Sequence, residues 1–154
     1  MNAYRLKPMN FPWPPFLYGT AILVAFAIHR VAGLPTPHVN ATIGWCVGIL
    51  LIAASGWLYI WAIATRTKIR MPRRAAKHLV THGPYRYSRN PIYLSYTLLT
   101  MGIGLLTSNA WFFVMATLAA IVTTMIVIRR EEMHLLARFG VEFEKYCKRT
   151  RRWI

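Results

Sequence analysis

PIYLSYTLLTMGIGLLTSNAWFFVMATLAAIVTTMIVI, residues 91–128, carries no charged residue. A helix needs about 20 apolar residues to cross the hydrocarbon core of a bilayer. This run is too long for one crossing and fits two, with Thr107-Ser108-Asn109 as a polar turn between them. It predicts a membrane hairpin, 91–106 and 109–128, whose first arm is short. Two more apolar runs lie upstream: FLYGTAILVAFAIHRVAG at 16–33, and the uncharged ATIGWCVGILLIAASGWLYIWAIAT at 41–65. Together they predict an all-α, polytopic membrane protein in one domain, 1–154. Its four transmembrane helices fall at about 16–34, 41–65, 91–106 and 109–128.

The charges surround these runs. The 154 residues include 19 Lys and Arg against 4 Asp and Glu, a formal net charge of +15, yet 56% are hydrophobic. A soluble nucleic-acid binder or a disordered basic tail has much less apolar mass. Eight basic residues lie between Arg66 and Arg89, eight more follow from Arg129 onward, and Arg5 and Lys7 precede the first span. The stretches 34–40 and 107–109 have none. With four spans, both termini and the 66–90 loop share one side. That side holds every Lys and Arg except Arg30, and positive residues mark the cytoplasmic face.

All four acids, Glu131, Glu132, Glu142 and Glu144, follow the last apolar run. A small proton-coupled exporter needs a titratable carboxylate within the bilayer, so that class is disfavoured. Cys46 falls within a span and Cys147 in the cytoplasmic tail, so no disulfide is expected. MNAYRLKPMNFPWPP lacks the apolar core of a cleavable signal and reads as an interfacial lead-in with Trp13 at headgroup level. Trp45, Trp57, Trp61 and Trp111 read as belt or packing residues, and His29 and Arg30 as headgroup contacts. Gly44, Gly48, Ala53 and Gly56 offer a small face for close helix packing, within the chain or to a second copy in a homo-oligomer.

Two segments carry candidate chemistry. In KHLVTHGPYRYSRNPIY, residues 77–93, Gly83-Pro84 signals a turn. Asn90-Pro91 opens a helix, Asn as N-cap and Pro as first helical residue. Tyr85, Arg86, Tyr87, Arg89 and Asn90 then sit at the membrane surface beside the positive end of a helix, a place suited to a carboxylate or another anion. A positive-inside loop anchored by tyrosines explains the same composition. In RREEMHLLARFGVEFEKYCKRTRRWI, residues 129–154, Met133, Leu136, Phe139, Phe143, Tyr146 and Cys147 recur at helical spacing. They predict a C-terminal cytoplasmic amphipathic helix, interrupted or kinked at Gly140. Glu131 and Glu132 come level with Arg89 and Asn90 if the hairpin arms are antiparallel, either as charge compensation or as the wall of a polar pocket. His78 and His82 have a metal-compatible spacing but no third ligand in the sequence, and no metal site is expected.

Taken together, the two segments resemble the isoprenylcysteine carboxyl methyltransferase family, which groups with the phospholipid N-methyltransferases as integral-membrane methyltransferases. The family pattern is roughly G-x-Y-x-x-x-R-(H/N)-P-x-Y, a helical hairpin, E-E-x-x-L, then F-G-x-x-Y-x-x-Y. Here it is met by Gly83, Tyr85, Arg89, Asn90, Pro91, Tyr93, Glu131, Glu132, Leu135, Phe139, Gly140 and Tyr146, with Phe143 in place of the first tail tyrosine. The motif-bearing half is 77–152.

The resemblance implies S-adenosylmethionine as methyl donor, held at the cytoplasmic mouth by Lys77, His78, Leu79, Val80, Tyr85, Asn90, Pro91, Ile92, Tyr93 and Glu131. An Asn-capped helix start suits the donor's carboxylate, Glu131 its ammonium and ribose hydroxyls, and Tyr or His its adenine. Two positions depart from the pattern. Asn90 stands where the family turn usually has His, and Asn is no base near neutral pH. Val127 stands where eukaryotic prenylcysteine enzymes carry a substrate-binding arginine.

Methyl transfer from a sulfonium is an in-line displacement in which the protein aligns and desolvates the reactants. The expected acceptor is lipophilic and enters from the bilayer, its anionic head held by Arg89, Arg129 or Arg130 in the catalytic site. A carboxylate acceptor needs such a cation, whereas an amine acceptor must lose a proton. The alternatives are a phospholipid N-methyltransferase and a non-catalytic subunit whose basic loop holds anionic lipid.

Overall fold

A computed structural model of the chain describes residues 13–32, 40–68 and 79–154. Among the described residues the fold is all-helical. Helix α1 is Trp13–Val31, α2 Ala41–Lys68, α3 Pro91–Leu106, α4 Trp111–Val122, α5 Arg129–Phe139 and α6 Val141–Arg149. A 3₁₀ turn, Gly83–Arg86, precedes α3, and a π-helical segment, Thr123–Ile128, joins α4 to α5.

Three helices are long and apolar enough to cross a membrane: Trp13–Val31, Ala41–Thr67, and the continuous rod Trp111–Phe139 formed by α4, the π segment and α5. The chain is an integral membrane protein. Helix α3 has 16 residues and reaches about 24 Å at about 1.5 Å per residue, short of the roughly 30 Å hydrocarbon core. The hairpin turn falls where the uncharged run predicts it. Proline at the first position of α3 has no N–H to leave unpaired, and its fixed φ suits a helix start. Beyond α3, Ser108 takes φ +47°, and the buried Asn109 side chain closes the turn. Its Oδ1 accepts from the Trp111 N–H at 3.0 Å and its Nδ2 donates to the Ala25 carbonyl of α1 at 3.3 Å. Asn109→Ala strands that carbonyl and N–H in a buried place. It should cost about 1–3 kcal/mol, read as a lowered thermal midpoint of the detergent-solubilised protein.

Helix α2 lies along α3 and α1 along α4. The predicted small face of α2 is used partly inside the chain. A Cβ on Gly48 would meet the Gly102 carbonyl and Leu106 at 3.0 Å, whereas one on Gly56 would meet nothing. Polar side chains between helices are satisfied locally: Tyr18 Oη and Thr97 Oγ1 share a 2.7 Å hydrogen bond, and Ser55 Oγ donates to the Ser95 carbonyl at 2.8 Å. In a bilayer such groups find no water and must pair within the protein.

The segment after Ile128 departs from the expected single amphipathic helix. Its first part continues the last long rod. Within the π segment the hydrogen bonds stretch to five residues, and the Arg129 N–H reaches the Thr124 carbonyl. Gly140, at φ +49°, breaks the rod in a conformation that L side chains avoid. Helix α6 then turns back and buries Phe143 and Tyr146, and residues 150–153 run on without helix, hydrogen-bonded to the segment just before α3.

Candidate functional site

The site is built where the loop before α3 meets the end of α2 and the charged start of α5. Gly83 makes the approach possible. It has φ +62°, and a Cβ there would lie 2.8 Å from Thr65 Oγ1 near the end of α2. With the turn seated this closely, Tyr85 comes beside Arg66, the last arginine of α2. One helical turn into α3, Tyr93 donates its hydroxyl proton to Glu131 Oε1 at 2.9 Å. Arg66 acts electrostatically on Tyr85, Tyr93 and Glu131 alike. Two tyrosines, a carboxylate and a guanidinium from four separate elements therefore line one recess. Glu131 can be reached from outside although protein surrounds most of its carboxyl. Burial raises the Tyr85 phenol above its ordinary value, with Arg66 pulling the other way.

A second layer holds the Arg-Asn-Pro turn in place, and it comes from the chain's last residues. The Arg89 N–H donates to the Arg151 carbonyl at 3.1 Å. Asn90 Nδ2 donates to the Arg152 carbonyl at 2.9 Å. Thr150 Oγ1 donates to the Arg86 carbonyl at 3.2 Å and Tyr146 Oη to the Tyr85 carbonyl at 2.6 Å. Burial raises the Tyr146 phenol, with Arg89 opposing. Glu132 receives two guanidinium groups: Arg152 through Nε at 3.0 Å and Nη2 at 2.6 Å, and Arg89 through Nη1 at 3.3 Å. Donating these hydrogen bonds to the Glu132 carboxylate raises the Arg152 pKa. Arg89 Nη1 also contacts Cys147 Sγ.

This geometry redistributes the expected roles. Asn90 occupies the N-cap position of α3, but its side chain makes no cap hydrogen bond. The amide is spent on the tail, because a carbonyl lies within its reach and the first turn of α3 already closes on the Asn90 carbonyl. Tyr85, Tyr93 and Glu131 converge. Leu79, Val80 and Ile92 are half-buried around the same turn and Pro91 is fully buried. Lys77 and His78 lie outside the described residues. Arg89, Arg129 and Arg130 do not share a pocket. Arg89 is committed to Glu132, while Arg129 sits two positions before Glu131, about 200° away around a helix turning roughly 100° per residue. Arg130 is exposed. Among the described residues no three His, Cys, Asp or Glu side chains gather as a metal group would need.

The profile of the family described as phospholipid methyltransferase matches residues 43–142.

The chain belongs to the phospholipid methyltransferase family.

Two curated relatives share part of the sequence. The nickel-cobalt-cadmium resistance protein NccN of Alcaligenes xylosoxydans xylosoxydans is 36% identical over 77 residues, covering 50% of this chain and 36% of that protein. The cobalt-zinc-cadmium resistance protein CzcN of Cupriavidus metallidurans is 36% identical over 72 residues, covering 47% and 33%. The chain thus matches about a third of the length of either. No solved structure matches.

For this phospholipid methyltransferase family member the motif residues split into two groups. Glu131 and Tyr93 face the recess, whereas Glu132, Arg89 and Asn90 fasten the tail. Val127 is 7% exposed within the π segment, so the departure there leaves an apolar packing residue. Arg66 was missed as a site residue in the sequence because it is one of eight basic residues in a row of similar spacing. Its distinction is to be the first charge after the uncharged run of α2.

Proposed function

We propose that this chain is an S-adenosylmethionine-dependent membrane methyltransferase acting on a lipophilic acceptor. The convergence of Tyr85, Tyr93, Arg66 and Glu131 at the mouth of the helices supports the reading. The residues suit the donor chemically. Its amino-acid end carries an ammonium and a carboxylate, and the recess offers the complementary pair, Glu131 and Arg66. Tyr85 and Tyr93 supply aromatic surface for adenine. When bound, the donor brings an already activated methyl group. The chain's own work is to fix Glu131 through the Tyr93 hydroxyl, hold the turn through the tail, and keep water from the reacting atoms.

We further propose that α3 crosses with its hairpin partner as a fourth span, and that both termini and the 66–90 loop face the cytoplasm, in keeping with the basic residues around the recess. The acceptor then arrives from the bilayer and the donor from the aqueous side. Of the arginines first considered for the acceptor's head, Arg89 pairs with Glu132, whereas Arg66 stands beside Tyr85. With Val127 at the position of the prenylcysteine enzymes' substrate arginine, we favour an amine acceptor, as in the phospholipid N-methyltransferases, over prenylcysteine. Our reading rests on the family and not on metal resistance, since the chain matches so little of the two relatives named for it.

Donor binding tests the core of the proposal. S-adenosylmethionine, or its demethylated product, at 100 times its Kd should stabilise the purified protein by about 2.7 kcal/mol, read as a raised unfolding midpoint. A non-catalytic lipid-binding subunit shows no shift with either compound. Transfer of a labelled methyl group to a panel of membrane lipids then separates a base-labile ester from a base-stable amine.

A further inference from the structure

Away from the recess, a groove of about 320 Å³ runs along the outer face of the last long helix, bordered by Thr117, Ala120, Ile121, Thr124, Arg129 and Trp153. From Thr117 to Arg129 it spans about 18 Å at about 1.5 Å per residue. Its lining changes along that length. The floor is apolar or engaged: Thr117 and Thr124 hydroxyls donate to carbonyls one turn back in their own helix. At the other end stands Arg129, where the apolar run stops. One wall is Trp153, whose indole Nε1 donates to Thr124 Oγ1 at 3.2 Å. Arg129 is exposed and, among the described residues, makes no ion pair. The nearest acids in sequence are committed elsewhere, Glu131 to Tyr93 and Glu132 to Arg89 and Arg152.

We infer that this groove is a binding site for an anionic phospholipid, separate from the methyl-donor recess. One acyl chain lies along the α4 face, and the phosphate meets the Arg129 guanidinium at the water boundary, with the Trp153 indole beside it at headgroup depth. Charge decides between lipid classes. An unpaired guanidinium at the end of an apolar channel favours a net-negative headgroup over a zwitterionic one, whose own cation would face Arg129 and the surrounding basic tail. The site also touches the fastening layer, because Trp153 directly follows Arg152, the partner of Glu132. A lipid seated here braces the tail that holds the Arg-Asn-Pro turn.

The test uses the full-length protein in vesicles of phosphatidylcholine doped with lipid brominated on the acyl chain. The signal from Trp153 is isolated by subtracting a Trp153→Phe variant. Brominated phosphatidylglycerol should quench Trp153 at a mole fraction several-fold lower than brominated phosphatidylcholine does. Arg129→Gln should erase that preference, and Arg130→Gln, which changes net charge equally, should keep it. Equal quenching by the two lipids in the wild type overturns the proposal. So does an unchanged preference in Arg129→Gln, or an equal loss in Arg130→Gln, which would reduce the effect to general surface charge.

Discussion

On the proposed donor site, Glu131→Ala should lower affinity for S-adenosylmethionine by about two orders of magnitude. Removing one member of a desolvated, hydrogen-bonded charge pair costs about 2–5 kcal/mol, much of it from the partner left behind. In the proposed complex two partners would be abandoned: the donor's ammonium and the Tyr93 hydroxyl, which donates a hydrogen bond to Glu131 at 2.9 Å. Tyr93→Phe removes only that hydrogen bond and leaves the carboxylate, so the loss is about 1 kcal/mol or roughly fivefold. Titration calorimetry on the two purified variants reads both numbers. Unchanged affinity in both sinks the site. Glu132→Ala gives a different signature, because its partners Arg89 and Arg152 belong to the protein. It lowers the thermal midpoint of the donor-free protein by more than Glu131→Ala, which there loses only the Tyr93 hydrogen bond.

Gly102→Val should strongly damage the fold. A Cβ at Gly102 lies 2.7 Å from Ile52 Cγ1, 3.0 Å from the Gly48 carbonyl and 3.2 Å from the Ile52 N. The side-chain atom can give way, but the two backbone atoms belong to α2 and move only if the whole helix does. Overpacking commonly costs about 1–3 kcal/mol, and with a branched residue against backbone the expected cost is at the top of that range or above it. In membranes, helix association depends on such close approach, because lipid tails solvate an apolar face as well as another helix does. Gly56→Ala, on α2 with open space around it, should be neutral or slightly stabilising, since alanine outranks glycine in a helix by up to about 1 kcal/mol. Thermal midpoints of the two variants in one detergent separate close packing between α2 and α3 from a general intolerance of glycine replacement.

Much of the scaffold was legible because apolar length and turn residues are local signals. The uncharged run 91–128 announced both hairpin arms, and Thr107-Ser108-Asn109 announced the turn. Asn109 reaching across to Ala25 was not legible, since nothing near it in sequence points to α1. At the site, Glu131 and Tyr93 were found through the spacing of a compound motif. The job of Asn90 was misread, because a helix-capping residue looks the same in sequence whether its amide turns inward to the helix or outward to a distant carbonyl. The tail failed for a related reason: RTRRWI has no periodicity, and its position is set by hydrogen bonds to residues some sixty places earlier. Arg89, Arg129 and Arg130 were offered as alternatives for one role on their nearness to the motif, which ignores that a helix carries Arg129 and Glu131 to opposite faces.

The π segment at Thr123–Ile128 gives that last point a wider meaning. Its widened turns set the angular phase of everything beyond it, so the side on which Glu131 emerges is decided before the first charged residue is reached. Rewinding the same residues as ordinary α-helix, with none removed, would swing the acidic pair by roughly 100°, about one residue's turn. Glu131 would leave Tyr93, and Glu132 would leave its two guanidinium partners, with every side chain still present. The winding of an apolar stretch can therefore redirect the proposed site without altering any residue in it.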